Sequence, residues 1–295
     1  MPFDTAYEAI TEETDAGHRW AFGTGFADPL DGVDTTVPAG VDGADLGGYC
    51  LMLGDDALIM SHRLQQWLSR APELEEETAL ANIALDLLGQ ARLLLSRAGA
   101  ADGTGRGEDD YAFDRTEREF RNIRLAEIAD ADFGGLIARL LVFSTWRLAL
   151  LARLRGSRDP VLAAVAAKGV SEVAYHRDYA AQWTVRLAGG TSYSRGRIEA
   201  GLAAVAPLTS ELFASTDAER KLAAAGIAAD PASLRAEFDE VIGLVLAEEN
   251  LCWPDVPALA GVAGQSGRDG IHTEAMGYLL AELQGIARAH PGATW

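Results

Sequence analysis

An all-α fold is predicted by three observations. Leucine and alanine carry most of a 48% hydrophobic content that includes only 7% aromatic residues, a balance typical of helical chains rather than sandwiches or barrels. Long segments repeat apolar residues at helical spacing. Pro, Gly and Asp punctuate those segments where helices start and stop. At 295 residues the chain is long enough for one large core, and no repeat of solenoid period is present.

Residues 1–44 are rich in Gly, Asp and Thr, are broken at Pro29 and Pro38, and have no sustained apolar period, so they are expected to form an extended arm. Its Trp20, Phe22 and Phe26 either dock on this chain or a partner, or belong to an unattached tail. Residues 45–295 are expected to form the helical domain. Leu53, Leu58, Met60, Leu64, Trp67 and Leu68 predict a helix over 46–69, and Pro72 opens the next. That second helix, 73–98, has the stripe Leu80, Ile83, Ala84, Leu87, Leu88, Ala91 and Leu95, and a glycine-rich stretch ends it.

A short basic helix is expected over 116–125. The apolar run GGLIARLLVFSTWRLALLARL gives a core helix over 131–155, and Pro160 opens another, 160–188. Further helices fit 195–213, 233–249 and 274–289, with breaks at Asp230–Pro231 and between Trp253 and Pro257. The four long helices group as two antiparallel pairs with a longer connection between the pairs, the arrangement of a ferritin-like bundle.

With 44 acidic and 25 basic residues the net charge is −19, which disfavours nucleic acid and anionic lipid as partners. The acidity fits solubility, the habit of a high-salt or high-GC organism, or a basic protein partner. Cys50 and Cys252 stand far apart with no CxxC pair, which points to neither zinc nor a disulfide framework and suits a reducing cytoplasm. The acidic start MPFDTAYEAITEETDAG is unlike a signal peptide, and no membrane segment is expected.

A di-iron bundle takes a carboxylate from each of two helices and a Glu-x-x-His pair from each of the other two, since i and i+3 project to one face. Here the second long helix has Asp86 but Gly89 three residues on, and Gln90 is a poor ligand. The fourth has Glu172 and His176, spaced by four. The third carries no acid between Phe133 and Arg158, and the first offers Asp55, Asp56 and His62. A working di-metal centre is therefore not expected. Asp86, Glu172 and His176 read as vestigial positions, a hydrogen-bonded cluster or ion pair in place of the metal.

No phosphate-binding glycine loop, GxSxG elbow or HExxH is present. His272 precedes a helix start that Thr273 can cap, and reads as a capping or packing residue. Arg115, Arg118, Arg121 and Arg124 recur every three residues, either as a solvated stripe or as an anion site for cofactor-like phosphates or an acidic surface.

LGDDALIMSHRLQQW, APELEEETALANIALDLLGQARLLL, FDRTEREFRN, SRDPVLAAVAAKGVSEVAYH and GIHTEAMGYLLAELQGIARAHPGATW, in this order, resemble the C-subunit family of bacterial 1,2-phenylacetyl-CoA epoxidases over 46–295. The resemblance implies a ferritin-like, non-catalytic structural subunit. It would pair with the catalytic A-type subunit, which holds the di-iron site, and with further epoxidase subunits, and would carry no cofactor of its own. The complex epoxidises the ring of phenylacetyl-CoA in aerobic phenylacetate catabolism. The resemblance also implies contacts of the ester with Glu119, Phe120, Arg121 and Asn122, matched by motif, and with Arg220, Lys221 and Leu222, matched only by spacing from Glu211, Leu212 and Phe213. Arg121, Arg220 and Lys221 suit an anionic nucleotide and Phe120 an apolar group. The arm lies outside the resemblance. A self-sufficient di-iron oxygenase or oxidase, and a stand-alone helical scaffold, remain as rivals.

Overall fold

The computed structural model describes residues 30, 32–291 and 293. Trp20, Phe22 and Phe26 of the expected arm lie outside the described residues. Ten α-helices occur among the described residues and no strand: α1 Gly43–Gln65, α2 Leu74–Ala101, α3 Glu108–Phe113, α4 Arg124–Glu127, α5 Phe133–Leu154, α6 Pro160–Gly189, α7 Ser192–Val205, α8 Asp217–Ala224, α9 Arg235–Ala247 and α10 Glu274–Ala289.

Helix starts follow local chemistry. The side chains of Asp42, Asp132, Asp159 and Thr191 accept backbone N–H groups in the first turns of α1, α5, α6 and α7, satisfying donors that a helix leaves orphaned. Pro160 occupies the first position of α6, where its missing N–H costs nothing.

The bundle consists of two antiparallel pairs, α1 with α2 and α5 with α6, the two most extensive helix pairings. The pairs are joined by the long connection that carries α3 and α4. This is a ferritin-like helical fold. Close approach of α1 and α2 depends on small residues: a Cβ on Gly54 would stand 2.8 Å from Leu95. α5 is buried almost throughout, from Leu136 to Leu154. The pairs are locked at one end by Trp67, Phe133 and Trp183, with edge-on ring separations of 6.3 and 4.9 Å. At the other end a buried ion pair joins Arg97 to Asp159. Arg97 also donates to the carbonyl of Thr35, so the chain leading into α1 lies against that end.

Helices α2 and α5 are long and apolar enough to cross a membrane by length and composition, but 83% of the most apolar window of α5 is buried inside the protein. The corresponding window of α2 is 50% buried.

The expected helix over 116–125 does not form. A single 3₁₀ turn, Glu117–Glu119, is followed by extended backbone and then by the one-turn α4. The cause is competition for backbone donors: the N–H of Arg121 goes to Asp55 Oδ2 and that of Ile123 to Asp56 Oδ1, both at 2.8 Å. These are groups that a helix would need for itself.

Candidate functional site

All four long helices send polar groups to the centre of the bundle. Arg147 of α5 is fully buried. Its Nε donates to Gln90 Oε1 of α2 at 2.9 Å, and its Nη1 reaches the Leu53 carbonyl of α1 at 3.4 Å. Gln90 then donates through Nε2 to Glu172 Oε2 of α6 at 2.9 Å. Glu172 also lies 3.4 Å from Lys168. Nearby, Asp86 and His176 pair across α2 and α6 at 3.0 Å. Gly169 leaves room for this line, since a Cβ there would meet Gln90 Nε2 at 3.3 Å.

Asp86, Glu172 and His176 thus share the α2–α6 face, but as two separate contacts. Burial pushes the Arg147 guanidinium down to about 10, against the attraction of Asp56, so it remains a cation at neutral pH. Its Nη2 has no protein partner.

This donor set does not fit a di-metal centre. The helix that should supply a carboxylate supplies a cation, the position that should carry an imidazole is Gly89 with the Gln90 amide beside it, and His176 is already engaged by Asp86. A metal ion placed among them would meet a fixed positive charge. Among the described residues, the group with three ligand atoms within 4.8 Å is Glu73, Glu75 and Glu76, at the start of α2 and away from the bundle centre. The missing acid is legible in the sequence, but the role of Arg147 is not. The available signal was an arginine near the middle of an apolar helical run that also holds Arg139 and Arg153.

A second polar system is built on Asp55 and Asp56 of α1. Asp55 holds the Arg115 guanidinium, with one contact at 2.9 Å, and the Arg121 N–H. Asp56 holds Arg268 through two contacts, at 2.9 and 2.8 Å, and the Ile123 N–H. Burial raises the Asp56 carboxyl while Arg268 opposes that rise. Glu211 accepts from Arg124 Nε at 3.0 Å and from the Gly267 N–H at 2.8 Å. Glu127 accepts from Asn122 Nδ2 at 2.9 Å, from His272 Nδ1 at 2.7 Å and from the Thr273 N–H. These four carboxylates bind the 115–127 segment to α1 on one side and to the 267–273 segment on the other.

The arginines therefore form no stripe. Arg115 and Arg124 are buried in ion pairs, while Arg118 is exposed and Arg121 half-buried. His272 is not a cap but part of a buried pair with Glu127.

The residues suggested for ester contact divide in the same way. Glu119 is exposed and accepts from Thr116 N–H. Phe120 is fully buried with the Arg115 guanidinium 4.0 Å from its ring centre, so its ring presents no surface to an apolar ligand group. Asn122 is fully buried against Glu127, and Leu222 is buried under α8. Arg220 pairs with Asp217, and Lys221 with Asp45 at the start of α1, both on the surface. The polar surface of the two segments thus belongs to Glu119, Arg121, Arg220 and Lys221, and the other three side chains hold the backbone beneath it.

Residues 34–295 match the family model described as "Phenylacetic acid catabolic protein". The chain is also similar to the C-type subunit of the 1,2-phenylacetyl-CoA epoxidase of Escherichia coli. The two are 41% identical over 250 residues, covering 85% of this chain and 99% of that protein. The chain belongs to the phenylacetic acid catabolic protein family.

Proposed function

We propose that this chain is the non-catalytic structural subunit of a phenylacetyl-CoA epoxidase complex, and that it stabilises a catalytic subunit which carries the di-iron site. The observation that carries this reading is Arg147. Its buried guanidinium, engaged by Gln90 and the Leu53 carbonyl, takes up the centre of the bundle where a catalytic member needs metal ligands. A self-sufficient di-iron oxygenase is disfavoured by the same donor set.

The chain also shares the surface for the coenzyme-A ester, through Arg121 on one segment and Arg220 and Lys221 on the other. Both segments are anchored along α1. Asp45, which pairs with Lys221, and Asp55, which holds the Arg121 N–H, are separated by about 15 Å of helix rise, a span that an extended coenzyme-A ester covers.

Two measurements test this. Loaded anaerobically with ferrous iron and desalted, the purified chain should retain far less than one iron per molecule. About two irons per chain, with oxygen consumption, would overturn the structural reading. Co-expression with the cognate catalytic subunit should yield a stable complex that binds phenylacetyl-CoA more weakly when Arg121→Glu is introduced. If that substitution changes neither ester binding nor assembly, the Arg121 contact is wrong.

A further inference from the structure

The buried pair His272–Glu127 sits where the C-terminal segment meets the 115–127 segment, and its hydrogen bonds are specific about protons. His272 Nδ1 faces Glu127 Oε2 at 2.7 Å, and Nε2 faces the Phe120 carbonyl at 3.2 Å. A carbonyl can only accept, so Nε2 must carry hydrogen. Glu127 already accepts from the Asn122 amide and from the Thr273 N–H, and two donors on a carboxylate favour its ionised form. The proton between the pair therefore resides on Nδ1, and the ring is an imidazolium. Both side chains are fully buried.

The Phe120 carbonyl that receives His272 also receives Arg121 Nη1 at 2.8 Å. One protonated ring thereby links the N-terminus of α10, through Thr273 and Glu127, to the backbone that orients Arg121. We propose that His272 and Glu127 form a protonation-dependent clasp that fixes the start of α10 onto the Phe120–Ile123 backbone and so holds the Arg121 side chain in place. Deprotonation takes the hydrogen from Nε2, because Nδ1–H stays on the stronger acceptor, Glu127; a lone pair then faces the Phe120 carbonyl and the buried Glu127 charge loses its imidazolium partner. The clasp then loosens.

The charged groups around the pair act in known directions. Glu127 from α4 and Glu117 from the 3₁₀ turn favour the imidazolium. Arg63 of α1, whose Nε donates to the Glu127 carbonyl at 2.8 Å, and Arg121 oppose it. Burial also opposes it, but the contacts with Glu127 and the Phe120 carbonyl outweigh burial and hold the imidazole above its ordinary value. The clasp is therefore closed below the folded imidazole value, which lies above the ordinary one, and opens as pH rises through it. Its existence does not depend on ester binding; only the consequence for Arg121 rests on the function proposed above.

The test is nitrogen NMR of the His272 ring in the full chain between pH 5.5 and 9.5, with hydrogen exchange of the α10 amides measured in parallel. Expected are imidazolium shifts for both nitrogens at pH 5.5, a midpoint above 6.5, and α10 exchange that speeds up across that midpoint by up to about tenfold per pH unit. In Glu127→Gln the midpoint should fall and α10 should exchange fast at all pH values. A midpoint at or below 6.5, or α10 exchange indifferent to the His272 titration once intrinsic pH effects are removed, overturns the proposal. Failure of the chain to bind phenylacetyl-CoA at any pH would count against the ester reading and leave the clasp standing.

Discussion

The two polar systems of this protein both adjoin α1 and are built on opposite plans. At the bundle centre a single cation, Arg147, is served by one amide and one distant carbonyl, with Nη2 left over. In the belt that joins α1 to the C-terminal segment, each of Asp55, Asp56, Glu127 and Glu211 receives at least one charged side chain and one backbone N–H. The first occupies space that would otherwise need a metal or an apolar plug. The second dictates the path of a loop. Buried ion pairs are poor contributors to net stability but are costly to break on one side, so the two systems should answer mutation very differently.

The largest effect is expected in the belt. Asp56→Ala strands the Arg268 guanidinium, which is buried and also bonds the carbonyls of Met52 and Arg121, and it frees the Ile123 N–H. A loss of about 3–5 kcal/mol in urea denaturation is expected, as for other half-broken buried pairs. A loss under about 1 kcal/mol would mean that the belt does not hold the loop.

That same belt explains how much could be read from sequence. All four long helices were legible, because periodicity and capping are local: 73–98 became Leu74–Ala101, and 160–188 became Pro160–Gly189. The helix expected over 195–213 changes to a 3₁₀ run at Ala206–Phe213, where Pro207 removes a backbone donor. The short helices α3 and α8 were missed, as was the unwinding of 116–125. Each lies in a polar stretch where apolar period gives no signal, and the unwinding depends on carboxylates more than 60 residues away. Of the candidate site, the absences at Gly89 and along α5 were visible, while the role of Arg147 needed the positions of three other helices.

At the bundle centre a milder response is expected. Arg147→Met keeps much of the length and apolar volume, removes a guanidinium whose burial is only partly compensated, and leaves Gln90 Oε1 without its donor. Replacing a buried ion by a hydrophobe of similar size is often close to neutral, so the change should be under about 2 kcal/mol in the same urea assay, clearly less than for Asp56→Ala. Equal costs would show that the two systems are not built differently after all.

Smaller still is the Asp86–His176 contact. Asp86 is about one-third exposed, and solvent weakens such a pair. Asp86→Asn should cost no more than about 1 kcal/mol, read as a small shift of the urea midpoint.

The subtlest contrast is between two histidines with opposite pH behaviour. His272 has its imidazole raised: burial pulls it down, but Glu127 and the Phe120 carbonyl prevail. Its stabilisation is fully present below the unfolded value of about 6.5 and is lost as pH rises through the folded value. His62 is lowered by burial, with Glu282 acting weakly against this at 3.9 Å, and its Nε2 is buried without a hydrogen-bond partner. It lines a cavity of about 320 Å³ between α1, α2, α3 and α10, and folding disfavours its protonated form. Its contribution is present above about 6.5 and is lost as pH falls through the folded value. Urea midpoints measured across pH should therefore lose part of their alkaline decline in His272→Gln and part of their acid decline in His62→Gln. Were His272→Gln to alter the acid limb instead, the proton assignment at the belt would be wrong, while the bundle centre would be untouched by either change.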